Sequence, residues 1–279
     1  MQGITELFPI SSLGHSVLLS DLFGWHHLLQ VQSGESFFLS FLVVLHVATA
    51  VALLIFYRKE WVKIIGGFFK SVQTRKVETA YQKLAWLIVI ATIPAGLVGL
   101  IFEHALREQF AKPMAAAIFL VINGGILLYG EHVRRAKHDR SDFSMETTAK
   151  NTGKISTTRA GVIGVAQVGA LFAGISRSGI TMVSGLMSGL DYEDSARFSF
   201  LLATPIIFAA GIYKLPDFFG HLGDGARPQM LAGGLAAGIA AYLSVRFLDK
   251  YFKTKSLKPF AIYCLLFGAF MIGFNLIHH

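Results

Sequence analysis

The chain has 279 residues, 53% of them hydrophobic and only 15% charged, with a mean hydropathy of +0.56. That composition excludes an ordinary soluble domain and describes a polytopic membrane protein. The net charge of +8 reads as basic loops against anionic headgroups, no zinc-finger spacing or basic aromatic helix points to nucleic acid, and a single cysteine, Cys264, excludes an intrachain disulfide.

The first apolar region, residues 1–23, is broken in its middle by Pro, Ser, Gly and charge. It reads as a re-entrant helical hairpin, and no charged segment precedes it, so a cleavable leader is not expected. Uninterrupted apolar runs at 37–57, 84–102 and 114–130 follow, each close to the roughly 20 residues that cross a bilayer. Between the first two, residues 61–69 alternate aromatic, aliphatic and basic side chains and are expected to lie in the interface. A basic segment, 131–159, leads to a second broken region, 160–190, which reads as a second re-entrant hairpin. Three more apolar runs, 198–215, 230–248 and 259–277, complete the chain. Pro94 and Pro205 read as kinks.

Lys and Arg crowd the segments 58–83, 131–159 and 250–258, which should therefore be cytoplasmic. The segments 103–112 and 216–227 are less basic and should face outward. With that assignment the first hairpin enters from outside and the second from inside, each followed by three spans. The expected fold is all-α: an inverted-topology repeat, 1–130 and 160–279, of two re-entrant hairpins plus about six transmembrane helices. Ile10-Ser11-Ser12-Leu13-Gly14 and Ile175-Ser176-Arg177-Ser178-Gly179 share the pattern Ile-Ser-x-x-Gly. Hairpins from opposite faces would bring these two tips together near the midplane.

Arg177 is the most informative residue. A charge at membrane depth costs roughly 2.5–3.5 kcal/mol on the lenient insertion scales and normally faces a cavity. Glycines and hydroxyls around it (Gly174, Ser176, Ser178, Gly179 and Thr181) suit an oxyanion such as phosphate at a helix start. Packing by small residues would explain those glycines and serines, but not the arginine.

In the other tip, Gln2 and Glu6 are four apart and share a helix face. They can hold a hard divalent cation or position water, or form a buried pair. Ser11 and Ser12 lie at the turn after Pro9, with His15 three residues on. Ser12 and His15 suit a nucleophile and its base, or a helix cap and a structural histidine. His46, Asn123 and Gln167, single polar groups in apolar runs, read as interhelical hydrogen bonds, with lining the cavity as the alternative. Gly185, Ser188 and Gly189 read as helix packing, and Asp191, Glu193, Asp194 and Arg197 as a solvated helix start.

Gln2-x-x-x-Glu6, Ser11-Ser12-Leu13-Gly14-His15 and the run from Gly174 to Thr181 together resemble the undecaprenyl-diphosphate phosphatases, the bacitracin-resistance phosphatases of bacteria, over essentially the whole chain. The resemblance implies hydrolysis of a polyprenyl diphosphate, chiefly the C55 carrier lipid of cell-wall synthesis, to the monophosphate and inorganic phosphate. It implies a multi-pass protein of the bacterial cytoplasmic (inner) membrane and a divalent cation, Mg or Ca. It maps the family's glutamate motif onto Gln2 and Glu6, its histidine onto His15, and its serine–arginine loop onto Ser176, Arg177 and Ser178, with Thr181 beyond.

Glu6, Ser12, His15 and Arg177 are thus the expected catalytic residues. Ser11, Gly174, Ser176, Ser178, Gly179 and Thr181 are the expected substrate-binding ones, and Gln2 with Glu6 the expected metal site. The bilayer and the polyprenyl diphosphate are the expected partners, with a homodimer as a candidate assembly. The loop departs from the family's usual Pro-Gly start with Ala173-Gly174. Eight residues before Pro9 span about 12 Å as helix, so the first hairpin is expected to have a short entering arm. A transporter or flippase for a lipid phosphate or small anion is the competing reading, since broken helices meeting at the midplane are also a transporter arrangement.

Overall fold

A computed structural model describes residues 1–25, 37–102, 105–106, 112–135, 155–213 and 227–278. Among them every regular element is helical. In chain order these are α1 (Gln2–Thr5), α2 (Ser12–Leu22), α3 (Phe37–Phe56), α4 (Arg58–Thr74), α5 (Ala80–Ile101), α6 (Pro113–Arg135), α7 (Thr157–Val168), α8 (Arg177–Met187), α9 (Tyr192–Tyr213), α10 (Arg227–Tyr251) and α11 (Lys258–His278). A 3₁₀ turn, Gly169–Leu171, follows α7.

Five of these helices, α5, α6, α9, α10 and α11, are long and apolar enough to cross a membrane, and the bent pair α3–α4 makes a sixth when counted as one span. The chain is a multi-pass membrane protein. The predicted runs survive with ends moved by a few residues. Most of the predicted outward segments, and the greater part of the basic segment 131–159, lie outside the described residues. The ends of that segment are helical: Arg134 belongs to α6, and Arg159 belongs to α7 and donates to the Ser188 carbonyl at 2.9 Å.

Local sequence explains several boundaries. Thr79 caps α5 through a capping box, accepting from the Gln82 amide at 3.3 Å while the Gln82 side chain accepts from the Thr79 amide at 2.9 Å. The chain turns by 89° between α3 and α4. The amphipathic stretch expected at 61–69 is part of the longer α4. That helix buries Ile64 and Ser71 and exposes Val62 and Phe69. Trp86 donates to Ser71 at 2.9 Å and ties α4 to α5.

Helix α9 is the central one: 67% of its apolar window is buried, against 33–39% for the other four spans. It packs on α3, α5 and α8, while α6 pairs with α11 and α3 with α10. Leu97, Leu235, Leu266 and Leu276 point outward, as a lipid-facing surface requires. The centrality of α9 overturns one expectation. Glu193, Asp194 and Arg197 are buried, not solvated. Arg197 contacts Glu193 at 2.7 Å and Asp249 at 3.1 Å, and Tyr57 donates to Asp249 at 3.2 Å.

Candidate functional site

The two broken regions converge. Regular helix in the first ends at Thr5, earlier than Pro9, and turns carry the chain to Ser11. Ser11 adopts a left-handed φ of +67°, unusual for a residue with a side chain. Its hydroxyl accepts from the Gly14 amide at 3.2 Å, capping α2, and from the Gly174 amide of the other tip at 3.1 Å. Two hydrogen bonds thus hold the strained residue in place. Gly174 has φ +108°, and a Cβ there would lie 2.3 Å from the Ala116 carbonyl oxygen. Glycine is therefore required for both conformation and space. The turn takes this shape with Ala173 ahead of Gly174.

Asn123 of α6 fastens the junction. Its side chain accepts from the Ser176 amide at 2.9 Å and donates to the Pro9 carbonyl at 3.0 Å, so it ties α6 to the two tips where a bond between helices was expected. Ser176 caps α8 by accepting from the Gly179 amide at 3.2 Å, leaving the first amides of that helix without intrahelical partners.

Arg177 comes to Glu6 as a result: Nη2 donates to Oε1 at 2.9 Å. The other carboxylate oxygen accepts from the Ser12 hydroxyl and from Gln2 Nε2, the latter at 3.2 Å. His46 reaches the same oxygen, with Nε2 at 3.2 Å from Glu6 and 2.9 Å from Gln2 Nε2. His46 Nδ1 lies 2.7 Å from the Leu42 carbonyl, so it carries a proton and leaves Nε2 as the atom that gives or takes one. Glu6, Ser11, Ser12, His46, Gln167, Ser176 and Arg177 line one cavity of roughly 260 Å³. Its remaining wall is apolar, with Val43, Ala95, Ile206 and Ala210 among the contributors. Arg177 Nη1 is buried without a partner, and so are both amide atoms of Gln167.

His15 is not part of this arrangement. Its Nδ1 is 2.7 Å from the Ser11 carbonyl and its Nε2 is 2.7 Å from the Tyr263 hydroxyl. The ring stacks on Tyr263 and Phe267. The expected base for Ser12 therefore faces α11, and Glu6 and His46 occupy the place beside Ser12. Four other expected residues build the tip and do not wall the cavity: Gly174 in its turn, Gly179 under the Ser176 cap, Ser178 bonded to Ser176 at 3.0 Å, and Thr181 donating to the Arg177 carbonyl at 2.7 Å.

No group of three or more His, Cys, Asp or Glu able to hold a metal occurs among the described residues. Among the described residues Glu6 is the only carboxylate of the cavity wall; Gln2 turns its Nε2 to Glu6, and its Oε1 is buried without a partner. One carboxylate and one amide oxygen are too few ligands for a cation held by the protein alone.

Comparison with known proteins follows the same direction. The family described as bacitracin resistance protein BacA matches residues 1–270. The chain is 50% identical to undecaprenyl-diphosphatase 2 of Frankia alni, covering 96% of this chain and 93% of that protein. It is 50% identical to the undecaprenyl-diphosphatase of Mycolicibacterium paratuberculosis, covering 96% and 92%. It is 44% identical to undecaprenyl-diphosphatase 2 of Burkholderia thailandensis, covering 100% and 95%.

Proposed function

The chain belongs to the bacitracin resistance protein BacA family, and on that premise we infer that it is a membrane phosphatase that hydrolyses undecaprenyl diphosphate to the monophosphate and inorganic phosphate. The observation that carries the reading is the contact of Arg177 with Glu6 and of Glu6 with Ser12 at the junction of the two tips. A cation, a carboxylate and a hydroxyl share one cavity with an apolar side, which suits a lipid with a charged head.

Each residue has a role that its bonds support. Arg177 spends Nη2 on Glu6 and keeps Nη1 for a phosphate oxygen. The N-terminus of α8, which starts at Arg177, adds its dipole for the same anion. Ser12 Oγ attacks the terminal phosphorus and gives its proton to Glu6, and the bond from phosphorus to the bridging oxygen breaks to release the lipid monophosphate. Water then attacks the phosphoserine and frees inorganic phosphate. His46 Nε2 takes the proton from Glu6 and resets the site. Glu6 and the Gln2 amide oxygen would be the protein ligands of a divalent cation, Mg or Ca, which would offset the charge of the diphosphate.

The inverted repeat has support beyond the short echo. Helices α2 and α8 each span 11 residues and start 165 positions apart, at Ser12 and Arg177, under the equivalent caps Ser11 and Ser176. Helix α1 packs on α10 as α7 packs on α5, through Gly3 and Gly164. We extend this to re-entrant hairpins entering from opposite faces of the cytoplasmic (inner) membrane. The headgroup then enters from the outer side, where Ile206 and Ala210 line the cavity. A homodimer belongs to the same set of proposals, read by light scattering in detergent.

Purified protein should release phosphate from undecaprenyl diphosphate in the presence of Mg, less so with a chelator. A single-turnover quench should trap phosphate on Ser12. Release without any phosphoserine would replace the serine route by direct attack of water, and no release at all would leave the transporter reading.

A further inference from the structure

Gln167 stands at the end of α7 and lines the cavity described above. It is 1% exposed, and neither atom of its amide has a hydrogen-bond partner. Buried amides are nearly always paired, so an orphaned one at a cavity wall points to a ligand that completes it. Counting back from the tips explains why it is free. Eight residues before Ile10 stands Gln2, and eight before Ile175 stands Gln167. The amide of Gln2 is engaged by Glu6 and His46. The position that answers to Glu6 in the second tip is Leu171, so Gln167 has no carboxylate to bind. The same wall presents Arg177 Nη1, a second buried donor without an acceptor. Two unpaired donors on residues that line one cavity suit an acceptor-rich ligand.

We propose that Gln167 is a substrate-binding residue. Its Nε2 donates to a non-bridging oxygen of the diphosphate beside Arg177 Nη1, and its Oε1 accepts from a water or a protonated phosphate oxygen. The assignment rests on reading the cavity as the diphosphate site. It also divides the repeat's two glutamines by function: Gln2 orients the base, and Gln167 grips the anion.

The test is Gln167→Met, which keeps the side chain's length and removes the amide. No bond within the protein is lost, so the midpoint of thermal unfolding should stay level or rise. Affinity for methylenediphosphonate with Mg should fall about tenfold, and KM for undecaprenyl diphosphate should rise by a similar factor, with kcat changing less. Gln167→Glu, which adds a negative charge, should weaken binding further than Met does. Wild-type affinity in either variant would overturn the assignment. So would a marked drop in the Met variant's midpoint, because the amide would then be structural. Wild-type protein that binds methylenediphosphonate but releases no phosphate from the lipid would defeat the phosphatase reading alone, since the Gln167 comparison is made on binding.

Discussion

Among the described residues, Arg197 is buried and Arg177 is nearly so, and the two differ in what they leave unspent. Arg197, at the start of the central helix α9, meets Glu193 at 2.7 Å and Asp249 at 3.1 Å. Tyr57 and Lys253 complete the cluster, with Lys253 3.9 Å from Glu193. Arg177 has one carboxylate, Glu6, and an unpaired Nη1 at a cavity wall. Burying a charge demands compensation, and a charge compensated twice over holds helices together. A charge compensated once, at a cavity wall with a second unpaired amide, keeps a donor to spare, which is what the proposed anion site requires. Residual hydrogen-bonding capacity, more than the presence of an arginine, separates the site from the scaffold.

That contrast can be broken at four places. Arg177→Ala should lower phosphate release by roughly 10³-fold or more, since it removes the donor to charge that develops in the transition state. Near-normal release would erase the distinction. Ser12→Ala should lower it by roughly 10²-fold or more while leaving the Arg177–Glu6 pair and the thermal midpoint intact, and rates within a few-fold of wild type would favour water as the nucleophile. Arg197→Met should do the opposite. Stability should drop by about 3–5 kcal/mol, seen as a lower unfolding midpoint in detergent, with turnover per folded molecule changed by less than about twofold. Joint replacement of Arg197, Glu193 and Asp249 by apolar residues should recover much of that loss. The smallest effect is expected at Tyr263→Phe, which removes only the bond to His15: about 1 kcal/mol of stability and little change in rate. A large fall in rate there would return His15 to the chemistry.

Much of this was legible beforehand. The apolar runs marked the spans, and glycines, serines and Pro9 marked the two tips. Arg177 and Glu6 announced themselves because ionisable groups in apolar sequence are costly. The same argument applied to His46, at the middle of an apolar run, and would have found it; read as an isolated polar group it looked like a structural bond. Gln167 could have been found from its register with Gln2, eight residues ahead of each Ile-Ser-x-x-Gly. Neither the turning of His15 towards Tyr263 nor the burial of Glu193 and Arg197 had a local signal. Tyr263 is 248 residues from His15, and the burial follows from α9 lying at the centre of the bundle.

The sequence alone determined the helical spans, the two interrupted segments and the family, because the bilayer forces about 20 apolar residues per crossing and punishes every charge inside it. Those are local demands, readable one segment at a time. The tertiary structure decided which polar groups share a cavity and which of them remain unpaired. Glu6 and Arg177 lie 171 residues apart, and only the packing of one tip against the other, pinned by Ser11 and Asn123, sets the 2.9 Å between them.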